Sequence, residues 1–157
     1  MTIRRASPAD IPSVMQVAAS ADTAAQWSRA DYERWFDARG PSRLALVAED
    51  TEGILGFIVA LCAGPEWEIE NIVVAATARR RGVGAQLLDE LLKEAQMAGA
   101  ESVYLEVRES NRAARELYER AGFQAMGTRP DYYSSPAENA VIYQVVLTNR
   151  ENADESR

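Results

Sequence analysis

Apolar residues along the chain recur with two different periods, and the switches between them mark the elements. Thr2 to Arg5 reads as a short strand. Ser7-Pro8-Ala9-Asp10 opens a helix, with Ser7 as the cap, Pro8 at the first turn and Asp10 against the helix dipole. Ile11, Val14, Met15 and Ala18 follow on one helical face. Ala21 to Ser28 has no period and is expected to form a loop. Ser28 caps a second helix carrying Tyr32, Trp35 and Phe36, which Gly40-Pro41 ends. The apolar runs Leu44 to Ala48 and Ile54 to Ala63 enclose the polar turn Glu49 to Gly53, a hairpin signal. After the turn Gly64-Pro65, Glu66 to Val74 reads as the third strand of a meander.

The period then changes. Leu87, Leu88, Leu91, Leu92 and Ala95 form an amphipathic helical stripe that Gly99 can end. Ser102 to Val107 is rich in strand formers. Ser110-Asn111 caps a helix with Ala114, Leu117, Tyr118 and Ala121 on one face and Gly122 at its end. Phe123 to Gly127 and Ala140 to Leu147 read as strands around a Pro/Tyr/Ser-rich loop. No repeat or linker interrupts the 157 residues. The pattern predicts one mixed α/β (α+β) domain over residues 1–147, with about seven strands and four helices. The polar tail 148–157 is expected to fray.

Composition narrows the chemistry. A formal charge of −7 argues against nucleic acid or an anionic membrane as partner and suits a cationic substrate. Histidine is absent, which removes Ser-His-Asp and Cys-His catalysis and most zinc sites, so no metal is expected. Any general base must be a carboxylate, Tyr, Lys, Cys or bound water. Cys62, the single cysteine, lies in an apolar run with no neighbour to lower its pKa and reads as a small core residue. No apolar stretch reaches the ~18 residues of a membrane span, and Met1 to Arg5 lacks the apolar core of a signal peptide. A cytoplasmic protein, monomeric or weakly dimeric, is expected.

The strongest local feature is Arg79-Arg80-Arg81-Gly82-Val83-Gly84, a turn joining a hydrophobic strand to a helix. Small residues allow close approach of a ligand to backbone N–H groups, and the helix N-terminus adds partial positive charge. Three arginines concentrate cationic charge at that turn in an acidic protein. The arrangement suits a phosphate or pyrophosphate. It lacks the Gly-Lys-Ser/Thr ending of a P-loop and is not Gly-x-Gly-x-x-Gly.

Arg79-x-x-Gly82-x-Gly84 after a strand resembles the acetyl-coenzyme A signature of the GNAT superfamily of N-acetyltransferases. The run Leu105-Glu106-Val107-Arg108-Glu109-Ser110-Asn111, then Leu117-Tyr118 and Gly122-Phe123, resembles the second half of that fold. Trp27-Ser28, Asn71-Ile72 and Arg129-x-x-Tyr132-Tyr133 are similar to its bacterial ribosomal-protein-alanine branch. The resemblance implies the GNAT fold, and acetyl-CoA as acetyl donor. It implies that the backbone of Ile72, Val73 and Val74 pairs with the pantetheine arm. Arg79, Arg80, Arg81, Gly82, Val83 and Gly84 then hold the pyrophosphate, and Asn111 bonds the arm. It further implies Glu106 as general base and Tyr118 as general acid beside the coenzyme, with Glu68 where other members carry a base. The implied acceptor is the N-terminal alanine of a ribosomal protein.

The residues also have plainer readings. Tyr118 shares an apolar face with Leu117 and Ala121, as a core tyrosine would. Glu106 alternates with Leu105 and Val107, as a solvent-facing strand residue would. The period of two places Glu68 and Glu70 on one side of their strand, solvated or lining the way in for a cationic peptide end. Trp27, Glu70, Tyr132 and Tyr133 are the candidate substrate contacts. An α-amine, with a reference pKa near 7.8, is easier to neutralise than lysine by about 2.6 units, or about 3.5 kcal/mol, so a carboxylate base suffices. A tyrosine can return a proton to the departing thiolate, and a backbone N–H near Val73 or Val74 can stabilise the oxyanion. Transfer is then direct, without an acyl-enzyme. The alternatives are a GNAT enzyme acting on a small amine such as an antibiotic, polyamine or amino acid, and a non-catalytic acyl-CoA sensor.

Overall fold

The computed structural model describes residues 1–21 and 27–147. The expected loop from Ala21 to Ser28 falls mostly outside these residues, and the expected frayed tail falls wholly outside them. Seven strands form one sheet in the order β1-β2-β3-β4-β5-β7-β6. In chain order they are β1 (Thr2–Arg5), β2 (Arg43–Asp50), β3 (Gly53–Ala63), β4 (Glu66–Val74), β5 (Ser102–Arg108), β6 (Gln124–Ser134) and β7 (Ala137–Val146). All neighbours are antiparallel except β4 and β5. The helices are α1 (Ile11–Ser20), α2 (Arg29–Glu33), α3 (Val83–Met97) and α4 (Arg112–Arg120).

The sheet has a core on each face. On one, Leu87, Leu88, Leu91 and Leu92 of α3 and Tyr118 of α4 pack with Leu105, Val107 and Tyr143 from the strands. All four leucines are fully buried, as the helical stripe read from their spacing requires. On the other face, α1 and α2 bring Val14, Val17, Tyr32 and Trp35 onto Val47, Phe57, Val59 and Val73. That second core draws only on β2, β3 and β4, so no described helix covers β5, β7 and β6 on this side. Strand alternation turns Tyr104 and Glu106 onto that open face, while Val103, Leu105 and Val107 face α3 and α4.

Polar contacts fix the joints. Arg4 donates to both Asp10 oxygens at 2.9 Å and reaches Glu49 at 2.8 Å, tying β1 to the start of α1 and to β2. Arg115 donates to the Tyr143 hydroxyl at 2.9 Å, which donates to Glu119 at 2.8 Å, anchoring α4 on β7.

Two expectations change. The second helix is one short α-turn followed by the 3-10 turn Arg34–Phe36, because its aromatic residues are drawn into the core beneath it. The Pro/Tyr/Ser-rich stretch is no loop: β6 runs on to Ser134 and pairs with β7 up to Ser134–Ala137. Its register slips between Ala125 and Gly127 and again between Arg129 and Tyr133, and these irregularities hid the strand period.

Candidate active site

The site is a fork between the two parallel strands. β4 and β5 pair only at Glu66–Ser102, Trp67–Val103 and Glu68–Tyr104. β4 continues to Val74 and β5 to Arg108, so beyond Glu68 and Tyr104 they part. The Ala75 N–H donates to Leu55 O at 2.8 Å. Antiparallel alternation therefore points the backbone groups of Val73 at Phe57 on β3, and those of Ile72 and Val74 into the gap. Of the three residues expected to line an extended ligand, Ile72 and Val74 present free N–H and C=O groups, and Val73 serves the sheet.

At the wide end of the fork lies the arginine–glycine turn. Gly82 has φ 75°, the left-handed region where an L side chain is strained, and it is the N-cap of α3. Arg80 is also left-handed, at φ 65°. The first intrahelical bond is Gln86 N–H to Gly82 O, so the N–H groups of Val83, Gly84 and Ala85 have no helical acceptor. They sit at the positive end of a 15-residue helix. Arg79 and Arg80 are exposed, while Arg81 turns back to Asp50 at 3.7 Å. Turn and gap together fit a long ligand with an extended arm and a pyrophosphate end. Asn111 caps α4, its Oδ1 accepting from the Ala114 N–H at 3.2 Å, which leaves its amide nitrogen for other partners.

Carboxylates gather on the open face. The Tyr104 hydroxyl donates to Glu68 Oε2 at 3.0 Å across the last paired step. Burial first, and then the Glu68 carboxylate, push the Tyr104 phenol up to about 12. Glu66 and Glu106 add to the same push, so all three carboxylates bear on one spot. Glu106 is 11 % exposed at its side chain and pairs through Oε1 with Arg129 at 3.2 Å. Its Oε2 is buried without a hydrogen-bond partner, and so is Asn71 Nδ2 on β4. Tyr132 carries Arg129 over its ring at 5.5 Å, and the Glu106 carboxylate facing its hydroxyl raises its pKa. Tyr133 meets Tyr132 edge-on at 5.0 Å and lies under Arg108 at 4.3 Å.

Tyr118 lies on the opposite face of the sheet, in the core beneath α3 and α4. It is 5 % exposed, between Phe123 and Tyr143 with ring centroids at 5.9 and 6.1 Å. Burial raises its phenol far above the ordinary value. Its neighbour Leu117 lies close to Gly84 and Val74, at the open end of the gap. Glu106 and Tyr118 thus stand on opposite sides of the sheet with the parted strands between them.

Trp27 and Glu70 meet elsewhere. They line a shallow pocket of about 200 Å³ with Asp31, Arg34, Trp35 and Arg43. Glu70 is the extra residue of a bulge, with Asn71 opposite Val59 and Ile69 opposite Ala60. Arg43 and Glu68 both pair with Leu61, so Glu70, bonded to Arg43, lies on the face of Glu68 as the period of two predicts. Glu70 is also engaged by Arg43 at 2.7 Å, so it is not a bare acidic wall. Trp27 packs edge-on against Tyr32 and Trp35 at 5.6 and 6.2 Å.

Tyr104, Arg129 and Asn71 belong to the site and were not among the candidates. Alternation alone puts Tyr104 on the face of Glu106, so its signal was present. Nothing in the sequence pairs Arg129 with Glu106 or leaves Asn71 unpartnered, because both depend on where the hairpin and the bulge fall.

Among described residues no three His, Cys, Asp or Glu gather as a metal site, and no helix is long and apolar enough to cross a membrane. The acetyltransferase (GNAT) family model matches residues 12–123. The chain is 33 % identical over 149 residues to a [ribosomal protein bS18]-alanine N-acetyltransferase of Salmonella typhimurium, covering 94 % of this chain and 98 % of that one. It is 46 % identical over 78 residues, half of this chain, to an uncharacterized Mycobacterium leprae protein, of which the match spans 20 %. The crystal structure of the Escherichia coli ribosomal-protein-S18-alanine N-acetyltransferase superposes with a TM-score of 0.84 at 28 % identity, over 93 % of both chains. The family model over most of the chain and a relative matched along nearly its whole length agree with the superposition of the fold, and the chain belongs to the GNAT family of acetyl-CoA-dependent acetyltransferases.

Proposed function

We propose that this enzyme acetylates the N-terminal α-amine of a protein by direct attack in a ternary complex, with the N-terminal alanine of a ribosomal protein as acceptor. The observation that carries the reading is Glu106: a nearly buried carboxylate at the fork, with one oxygen held by Arg129 and the other unpartnered. Names of relatives point to the acceptor. The open face beside Glu106 suits a chain end that extends away into solvent better than a small amine needing enclosure.

Acetyl-CoA supplies an activated thioester carbonyl. The free groups of Ile72 and Val74 would receive its extended arm, and the amides of Gly82 to Gly84 with Arg79 and Arg80 its pyrophosphate. Glu106 Oε2 takes the proton of the incoming ammonium or amine, directly or through one water. Glu68 is the weaker candidate, since it already accepts a hydrogen bond from the Tyr104 hydroxyl. Glu68 and Glu66 contribute negative charge that favours a cationic chain end. The Val74 N–H, aimed into the gap, is placed to donate to an oxyanion. Tyr118 stays protonated at every working pH because burial raises it, so its hydroxyl serves as donor to the departing sulfur. Cys62 takes no part: burial raises its thiol, and its Sγ rests against Ala60 O at 3.8 Å.

Intact-mass measurement of small-subunit ribosomal proteins from cells lacking the gene tests the acceptor. One protein should appear with a free N-terminal alanine. If every ribosomal N-terminus keeps its wild-type mass, the ribosomal acceptor is wrong.

A further inference from the structure

Among the described residues two buried side-chain atoms lack a partner, Asn71 Nδ2 and Glu106 Oε2, and they belong to one site. On β3, Val59 and Leu61 share a face, and they pair with Asn71 and Glu68, with the bulged Glu70 between. Asn71 therefore faces the same side as Glu68, one pleat further along β4. Glu106 stands one pleat beyond Tyr104 on β5, and Tyr104 is the partner of Glu68. Asn71 and Glu106 are thus at matching height on the two arms of the fork, just past its vertex and on its open face.

An amide N–H buried without a partner forfeits its hydrogen bonds to water, so a pair of such groups facing one gap calls for a ligand that satisfies both. Asn71 offers a donor and Glu106 an acceptor. The complement is a molecule with an N–H and a carbonyl oxygen a few bonds apart. The first residue of a polypeptide has that form, its amine and carbonyl joined through one Cα. A lysine side-chain amine does not, being followed by four methylenes.

We propose that Asn71 Nδ2 donates a hydrogen bond to the first carbonyl oxygen of the acceptor while Glu106 receives its amine, so that Asn71 selects α-amines over side-chain amines. This rests on the N-terminal acceptor proposed above.

The test uses the full chain, acetyl-CoA and three acceptors. One is a basic peptide with a free N-terminal alanine. The second is the same peptide with a trans-alkene isostere in place of its first amide, which keeps the shape and removes the carbonyl oxygen. The third has a blocked N-terminus and one internal lysine. The wild type should use the alkene peptide about tenfold less well in kcat/KM, the worth of one good hydrogen bond. Asn71→Ala, or Asn71→Leu of similar size, should lower the amide peptide about tenfold and leave the alkene peptide within twofold. Equal losses on both peptides, or no loss on either, would overturn the role of Asn71 and leave the N-terminal acceptor standing. A wild-type preference for the lysine peptide would overturn both.

Discussion

In the proposed mechanism Glu106 and Tyr118 act from opposite sides of the sheet, and each can be removed with little change of shape. Glu106→Gln keeps the volume and loses the base, so kcat should fall by about 10²–10⁴-fold. Tyr118→Phe should lower kcat with little loss of fold, since the ring contacts to Phe123 and Tyr143 persist. In both variants calorimetric affinity for coenzyme A should stay close to wild type; loss of that affinity together with turnover would show a binding role. Both residues were candidates from the sequence because they sit in runs that resemble the family's; their spacing alone reads as a core tyrosine and a strand glutamate. Asn71 was quoted only as part of a motif, and its role was not legible. A hydrogen-bonding vacancy is a property of what surrounds a residue, and here the surroundings come from β5, some 35 positions away.

At the scale of elements, function depends on two strands parting on cue. Tyr104 and Glu68 mark the last paired step, and the bulge at Glu70 turns Asn71 back toward the face of Glu68. Gly56 on β3 sets how closely the central strands lie: a Cβ there would meet Val73 O at 2.7 Å, a backbone atom that cannot swing aside. Gly56→Ala should cost about 1–3 kcal/mol in urea unfolding and reduce coenzyme affinity by displacing β4. An unchanged midpoint would refute that spacing role. The Arg4 pair holds the Asp10 carboxyl down at about 2 from its ordinary 3.8. A lowered folded-state value stabilises the protein above pH 3.8 and ceases to as pH falls through about 2. Asp10→Asn should therefore cost about 1–2 kcal/mol at neutral pH, allowing for the partial exposure of Arg4, with the difference closing in acid. A gap between the melting curves that is as large at pH 2 as at neutral pH would contradict it. The strands and helices with a clean period were all legible, and α3 was read to within two residues of each end. The β6–β7 hairpin was not, because its two register slips scatter the apolar positions, and β6 is exposed along most of its length.

Across the whole molecule, the −7 charge divides by location. Arg79 and Arg80 stand at the open end of the fork, while Glu66, Glu68 and Glu106 gather around Tyr104 on the open face, where the proposed acceptor enters. Long-range attraction of a basic chain end should make kcat/KM for a basic peptide fall severalfold as salt rises through physiological strength, with kcat unchanged. Salt-independent kcat/KM would remove steering from the account. The absence of histidine, visible at once in composition, is why the proposed mechanism rests proton transfer on a carboxylate and a tyrosine. The most direct test of the central claim is the position of the transferred acetyl group. The enzyme, acetyl-CoA and a basic peptide carrying both a free N-terminal alanine and an internal lysine are incubated together, and fragment-ion mass spectrometry locates the modification. Acetyl on the α-amine, lost with Glu106→Gln, is the predicted result. Acetyl on the lysine, or unchanged α-amine acetylation by Glu106→Gln, would contradict it.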